Sequence, residues 1–196
     1  MKTLLKLSVL GLVAVFLFSS CGKRPEQEIQ AAQAAIEAVS KAGADVYAAD
    51  ELKKLNDDLT TAMDQVNTQG KKLFKKYGDT KELLSQLKAN ADTLQAEIPA
   101  RIETAKNNAL TALTEAKTAL DEAVKMLAGA PKGKGTKADL EAMKADLQGL
   151  EASLTEAQGI FDGSDFLGAL DKATTIKDKA LMIVDEIEKA MEKVGK

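Results

Sequence analysis

The chain has 196 residues, with 27 basic and 30 acidic side chains, no histidine, no tryptophan and a single cysteine, Cys21. That inventory excludes imidazole acid–base catalysis, histidine-ligated haem and Glu-x-x-His di-metal sites. It also excludes a fold held by internal disulfides. Scarce aromatic residues and the absence of a dominant basic patch argue against nucleic acid as a partner.

The first 21 residues read MKTLLKLSVLGLVAVFLFSSC. Lys2 and Lys6 form a basic start, Leu7 to Phe18 is apolar apart from Ser8 and Gly11, and the small pair Ser19-Ser20 precedes Cys21. This order of segments predicts an export signal over residues 1–20. The apolar run is too short for a bilayer-spanning helix, which needs about 20 residues. A small-residue pair directly before a lone cysteine resembles a bacterial lipobox, although Phe18 stands where leucine is commonest. The resemblance implies acylation of Cys21 and attachment to a membrane through that lipid. Without Lys2 and Lys6 the remaining body holds 25 basic and 30 acidic residues, a net charge of −5. Residues 21–26 then form the lipidated cysteine and a short tether.

Beyond the tether every segment carries a helical period. A first helix is expected over residues 27–42, with Ile29, Ala32, Ile36 and Val39 on one face and Gly43 as its left-handed C-cap. Ala49 to Tyr77 forms a second, with Leu52, Leu55, Leu59, Ala62, Val66, Gln69 and Leu73 recurring at steps of three and four. Gly78 stops it. Asp79, with Glu82 three residues on, makes a capping box for a third helix over about 80–128. Pro99 falls inside that third stripe. Ile98 would make a poor N-cap, so a continuous, kinked helix is expected in preference to two helices.

Residues 129–136, GAPKGKGT, form a Gly/Lys linker that cannot continue the helix. Thr136 caps a fourth helix with Leu140, Met143, Leu147, Leu150, Leu154, Ala157 and Phe161 on its stripe. After a turn at residues 162–164, a fifth helix carries Phe166, Ala169, Ala173, Ile176, Ala180, Ile183, Ile187, Ala190 and Val194. The fold class is therefore all-α: long antiparallel helical hairpins packed as a bundle or as an elongated coiled-coil-like body, after a lipoprotein signal peptide. The organisation is an N-terminal helical region over 27–128, the linker, and a C-terminal hairpin over 137–196. Two hairpins, about 48–102 and 137–194, repeat one plan. Leu52, Leu55 and Leu59 match Leu140, Met143 and Leu147 at an offset of 88.

Little in the helices points to chemistry. No thiol remains free if Cys21 is acylated. Gly129 to Thr136 lacks the adjacent G-K-[ST] of a phosphate loop, and no strand precedes it. The carboxylates are scattered over polar faces, commonly three or four residues from a lysine. No enzyme, no catalytic residue, no cofactor and no metal are expected, and the one site residue is the lipidation position Cys21.

The segment Ala42-Gly43-Ala44-Asp45-Val46-Tyr47-Ala48, followed by Glu51-Leu52, resembles the Ala-Gly-Ala-x-x-Tyr-Ala motif of an uncharacterised family of Ala/Lys-rich bacterial helical lipoproteins. Relatives often carry proline where this chain has Ala49. The resemblance implies an envelope lipoprotein without enzymatic activity. Gly22 after the cysteine, rather than the aspartate that retains lipoproteins at the inner membrane, implies the outer membrane facing the periplasm. The expected partners are the membrane, through the lipid on Cys21, and an envelope protein. Two further readings stand beside the structural or interaction role. One is a periplasmic peptide- or ligand-binding, chaperone-like module, which an exposed apolar stripe around Met63, Met126 and Met143 would favour. The other is a peptidoglycan-linked tether joined through Lys196. The ordinary account of Lys196 is a helix-end lysine complementing the helix dipole.

Overall fold

The computed structural model describes residues 22–130 and 137–194. Of these, 90% are helical, and no strand occurs among them, as the stepped apolar pattern predicts. Residues 1–20, Cys21, most of the 129–136 linker and Lys196 lie outside the described residues. In chain order the helices are α1 (Glu26–Val39), a π-helical turn (Ser40–Ala44), the short α2 (Asp45–Tyr47), α3 (Ala49–Gly70), α4 (Gly78–Gly129), α5 (Lys137–Asp162) and α6 (Phe166–Val194).

The chain divides into two compact units at Arg101–Ile102, inside α4 rather than at the Gly/Lys linker. In the first unit, α1 buries Ile29, Ala32, Ala35, Ile36 and Val39, and α3 buries Leu55, Ala62 and Val66. The first part of α4 buries Leu84, Leu87, Ala91, Leu94 and Ile98. The second unit has its own core. Ala112, Leu113, Ala116, Leu120 and Ala123 of α4 gather there with Met143, Leu147 and Leu150 of α5 and Ala173, Ile176, Ala180, Ile183 and Ile187 of α6. The end of α4 thus packs with the C-terminal hairpin because its apolar stripe continues unbroken past Arg101 and needs covering.

Helix α4 runs 52 residues with Pro99 inside it, so the continuous-helix expectation holds. Ile98, next to the proline, is fully buried. Its packing offsets the backbone bond that proline removes. Gly43 adopts φ +102°, the left-handed position expected of it. At the α5–α6 turn, Ser164 also takes a positive φ of 68°. The Asp165 Oδ1 there accepts a hydrogen bond from the Gly168 N–H at 2.9 Å, capping α6. The Phe161 and Phe166 rings close the same turn with centroids 5.3 Å apart.

One expected boundary is wrong. α3 stops at Gly70, not Tyr77, and Gly78 and Asp79 lie inside α4 rather than in a turn before it. Leu73, which the spacing placed on the buried stripe, is 91% exposed. Two causes combine. Lys71, Lys72, Lys75 and Lys76 would stack like charges on successive helical turns. Tyr77 instead swings into the core, 2% exposed, where its hydroxyl lies 3.4 Å from where a Cβ on Gly70 would sit. Anchoring that ring stabilises the core more than continuing a helix of exposed lysines would.

The two units share a plan: helix, Ala-Gly-Ala, helix, turn, helix. Ala42-Gly43-Ala44 leads into α2 and α3, and Ala128-Gly129-Ala130 closes α4. Ala44 and Ala130 are both buried. The buried positions Leu84, Leu87, Ala91, Leu94 and Ile98 correspond to Ala173, Ile176, Ala180, Ile183 and Ile187, with the same steps of three and four throughout. Each unit therefore presents the same stripe geometry on its last helix.

Candidate functional site

The position the sequence singles out, Cys21, lies immediately before the described chain, which begins at Gly22. Pro25 is buried at the head of α1 and its carbonyl accepts the Ile29 N–H at 3.0 Å. Beyond residue 24 the chain is thus already fastened to the helical body.

The Ala42–Ala48 motif forms the connection between α1 and α3. Ala44 and Ala48 are buried, and the Ala48 N–H donates to the Ala44 carbonyl at 2.9 Å. From α4, Arg101 reaches across to it. Its guanidinium donates to the Tyr47 carbonyl at 3.2 Å, to Glu51 at 2.8 Å and to Glu97 at 3.0 Å. One side chain thereby ties the motif to α3 and α4. The motif forms the chain reversal between α1 and α3, and its Asp45 belongs to no group of three or more acidic or thiol side chains placed to hold a metal ion among the described residues.

Open grooves flank the helices, two of them with apolar floors. One, of about 330 Å³, is lined by Glu51, Leu55, Asp58, Leu94, Glu97 and Arg101 in the first unit. The other, of about 500 Å³, lies between α5 and α6 against Asp146, Leu150, Lys179, Met182, Ile183 and Glu186. Both are rimmed by charges of both signs, the lining of a solvated helical surface rather than of an apolar ligand pocket. Met143 is buried and Met63 and Met126 are half-buried, so these methionines belong to the cores and their margins. Among the described residues no cluster of three or more acidic or thiol side chains is placed to hold a metal ion.

The charge chemistry is that of ion pairs. Hydrogen bonding to Lys81, at 3.0 Å, holds the Glu28 carboxyl below its ordinary range. Arg101 does the same for Glu51, and Lys172 for Glu156. Glu115, at 3.0 Å, pushes the Lys177 ammonium up. Carboxylates with lowered folded values stabilise the native state above their unfolded value of 4.5, and that contribution is lost as pH falls through the folded values. Lysines with raised values stabilise it below 10.5, with the loss on the alkaline side. Thermal midpoints are therefore expected to be level between about pH 5 and 8 and to fall below that range. A midpoint that rises on acidification below pH 4.5 would contradict the pairing.

The sequence reading missed one surface feature. Residues 71–76, Lys-Lys-Leu-Phe-Lys-Lys, form an exposed loop between α3 and α4, with Leu73 91% and Phe74 80% accessible. Lys41, Lys53, Lys54, Lys88 and Lys117 pair with carboxylates on their own helices. No such partner meets the four loop lysines among the described residues. The symmetric placing of lysine pairs around two large apolar residues was the available signal, hidden because Leu73 happens to fall on the α3 stripe.

No protein-family model, curated protein or solved structure matches this chain.

Proposed function

We propose that the protein is a non-catalytic envelope lipoprotein, held to the periplasmic face of the outer membrane by lipid on Cys21 and presenting its helical body to an envelope protein partner. The observation that carries this reading is the order of segments in residues 1–21: a basic start, a short apolar run, a small pair, one cysteine. A body in which no described helix is long and apolar enough to cross a membrane is compatible with attachment through a lipid. Two acyl groups would hold it firmly, since one chain alone gives only marginal binding. Gly22 in place of aspartate supports the outer membrane as destination, and the Ala42–Ala48 motif supports membership in the Ala/Lys-rich lipoprotein family. Groove linings of mixed charge and ion pairs confined to helix surfaces favour a scaffold over a catalyst.

The test is metabolic labelling with radioactive palmitate. The wild-type protein is expected to carry label that Cys21→Ser abolishes, with the variant accumulating uncut. Label retained at the wild-type level in Cys21→Ser would remove the basis of the reading.

A further inference from the structure

Four contacts fix the directions of the helices in the first unit. Glu28, in the first turn of α1, pairs with Lys81, in the first turn of α4. Arg101, far along α4, bonds to Tyr47, just beyond the end of α1. So α1 and α4 run parallel. α3 runs against both, because Glu51 at its start meets Arg101 while Gly70 at its end meets Tyr77. One end of this unit therefore holds both the start of α1 and the loop 71–76.

That coincidence gives the loop a meaning. Cys21 stands five residues before Glu26, and the intervening chain, when extended, spans at most about 18 Å. The loop's tip is apolar, Leu73 and Phe74, and its flanks are Lys71, Lys72, Lys75 and Lys76. Lys23 adds to the positive charge at the same end. The acidic groups nearest the tether are paired, Glu26 with Arg24 at 3.2 Å and Glu28 with Lys81, while Asp79 and Glu82 at the head of α4 and Asp64 on α3 stay acidic beside the loop. The buried ring of Tyr77 fixes one side of the loop and the end of α3 the other, so the apolar tip is held outward at little cost in ordering.

We propose that the loop 71–76 is a membrane-docking element for anionic phospholipid, with Leu73 and Phe74 entering the interface and the four lysines contacting headgroup phosphates. Two exposed apolar side chains ringed by cations match a bilayer interface, which is greasy beneath and negative above. A protein partner would be expected to oppose the lysines with carboxylates and to need a broader surface than one tip. The proposal deepens the reading of a lipid-anchored protein: the lipid brings the first unit to the bilayer, and the loop sets which end faces it.

The chain has no tryptophan, so Phe74→Trp installs a single reporter. The full chain carrying it, as purified from membranes, is reconstituted into vesicles of phosphatidylcholine alone or mixed with phosphatidylglycerol. With phosphatidylglycerol the emission should shift to the blue and be quenched by lipids brominated on their acyl chains. In pure phosphatidylcholine both responses should be weaker. Adding Lys71→Gln, Lys72→Gln, Lys75→Gln and Lys76→Gln should lower the inserted-to-free ratio by about five-fold per lysine removed. Helical content should stay unchanged, since all four are exposed. Emission that stays water-like and unquenched on phosphatidylglycerol vesicles overturns the proposal. So does a tip that cross-links to a protein in whole envelopes while ignoring these lipids. The mass of the mature N-terminus reports the lipid on Cys21 separately, so an unlipidated protein whose loop still inserts on added vesicles would sink the anchoring reading and keep this one.

Discussion

Tyr77→Ala is expected to destabilise the first unit by about 3–5 kcal/mol, the range for removing a buried aromatic ring. The ring is 2% exposed, and its neighbour Gly70 has no side chain to fill the space left behind. The Tyr77 carbonyl also accepts the Lys81 N–H at 2.9 Å, so the ring anchors the first turn of α4 as well as the core. Tyr77→Phe keeps the ring and should retain most of the stability. Urea unfolding followed by circular dichroism separates the two variants. If Tyr77→Ala unfolded at the same urea concentration as Tyr77→Phe, the ring would not be the anchor described. The consequence reaches the surface, because a loop no longer pinned at Tyr77 would lose its outward-held tip.

The helices were legible because burial writes itself into spacing. Leu84, Leu87, Ala91, Leu94 and Ile98 are buried as their steps of three and four require, and so are Ala173 through Ile187 on α6. The continuity of α4 through Pro99 was legible for the same reason, since Ile98 sits on the stripe. Periodicity failed where it was satisfied by accident. Leu73 keeps the register of α3, yet four lysines around it and a core site awaiting Tyr77 end the helix at Gly70. A stripe records which residues could be buried together, not which competitor wins the space.

The division inside α4 was hidden differently. Linker composition at 129–136 points to a boundary between bodies there. Compactness depends instead on which stripe covers which, and Ala112 to Ala123 of α4 share a core with α5 and α6. The repeated plan could have exposed this, since Ala42-Gly43-Ala44 and Ala128-Gly129-Ala130 both follow the first helix of a unit. Of the candidate site, the sequence offered Cys21 and the Ala42–Ala48 motif. It offered nothing of Arg101, whose role depends on contacts 50 and 54 residues away along the chain.

Ile176→Ala is expected to destabilise the second unit by about 2–5 kcal/mol. Its side chain is 2% exposed in a core where alanines such as Ala116, Ala123, Ala173 and Ala180 alternate with Leu113, Leu120, Leu147 and Ile183. The loss within that range depends on how far these larger neighbours relax into the vacated space. The opposite change tests the same geometry. Ala116→Leu adds bulk where the alanine is fully buried, and overpacking should cost about 1–3 kcal/mol. Met182→Ala, on the exposed side of the same helix, provides the control and should fall within about 0.5 kcal/mol of wild type. Chemical unfolding of the three variants ranks them directly. Equal midpoints for Ile176→Ala and Met182→Ala would mean that α6 does not turn Ile176 inward, and the core of the second unit would have to be redrawn.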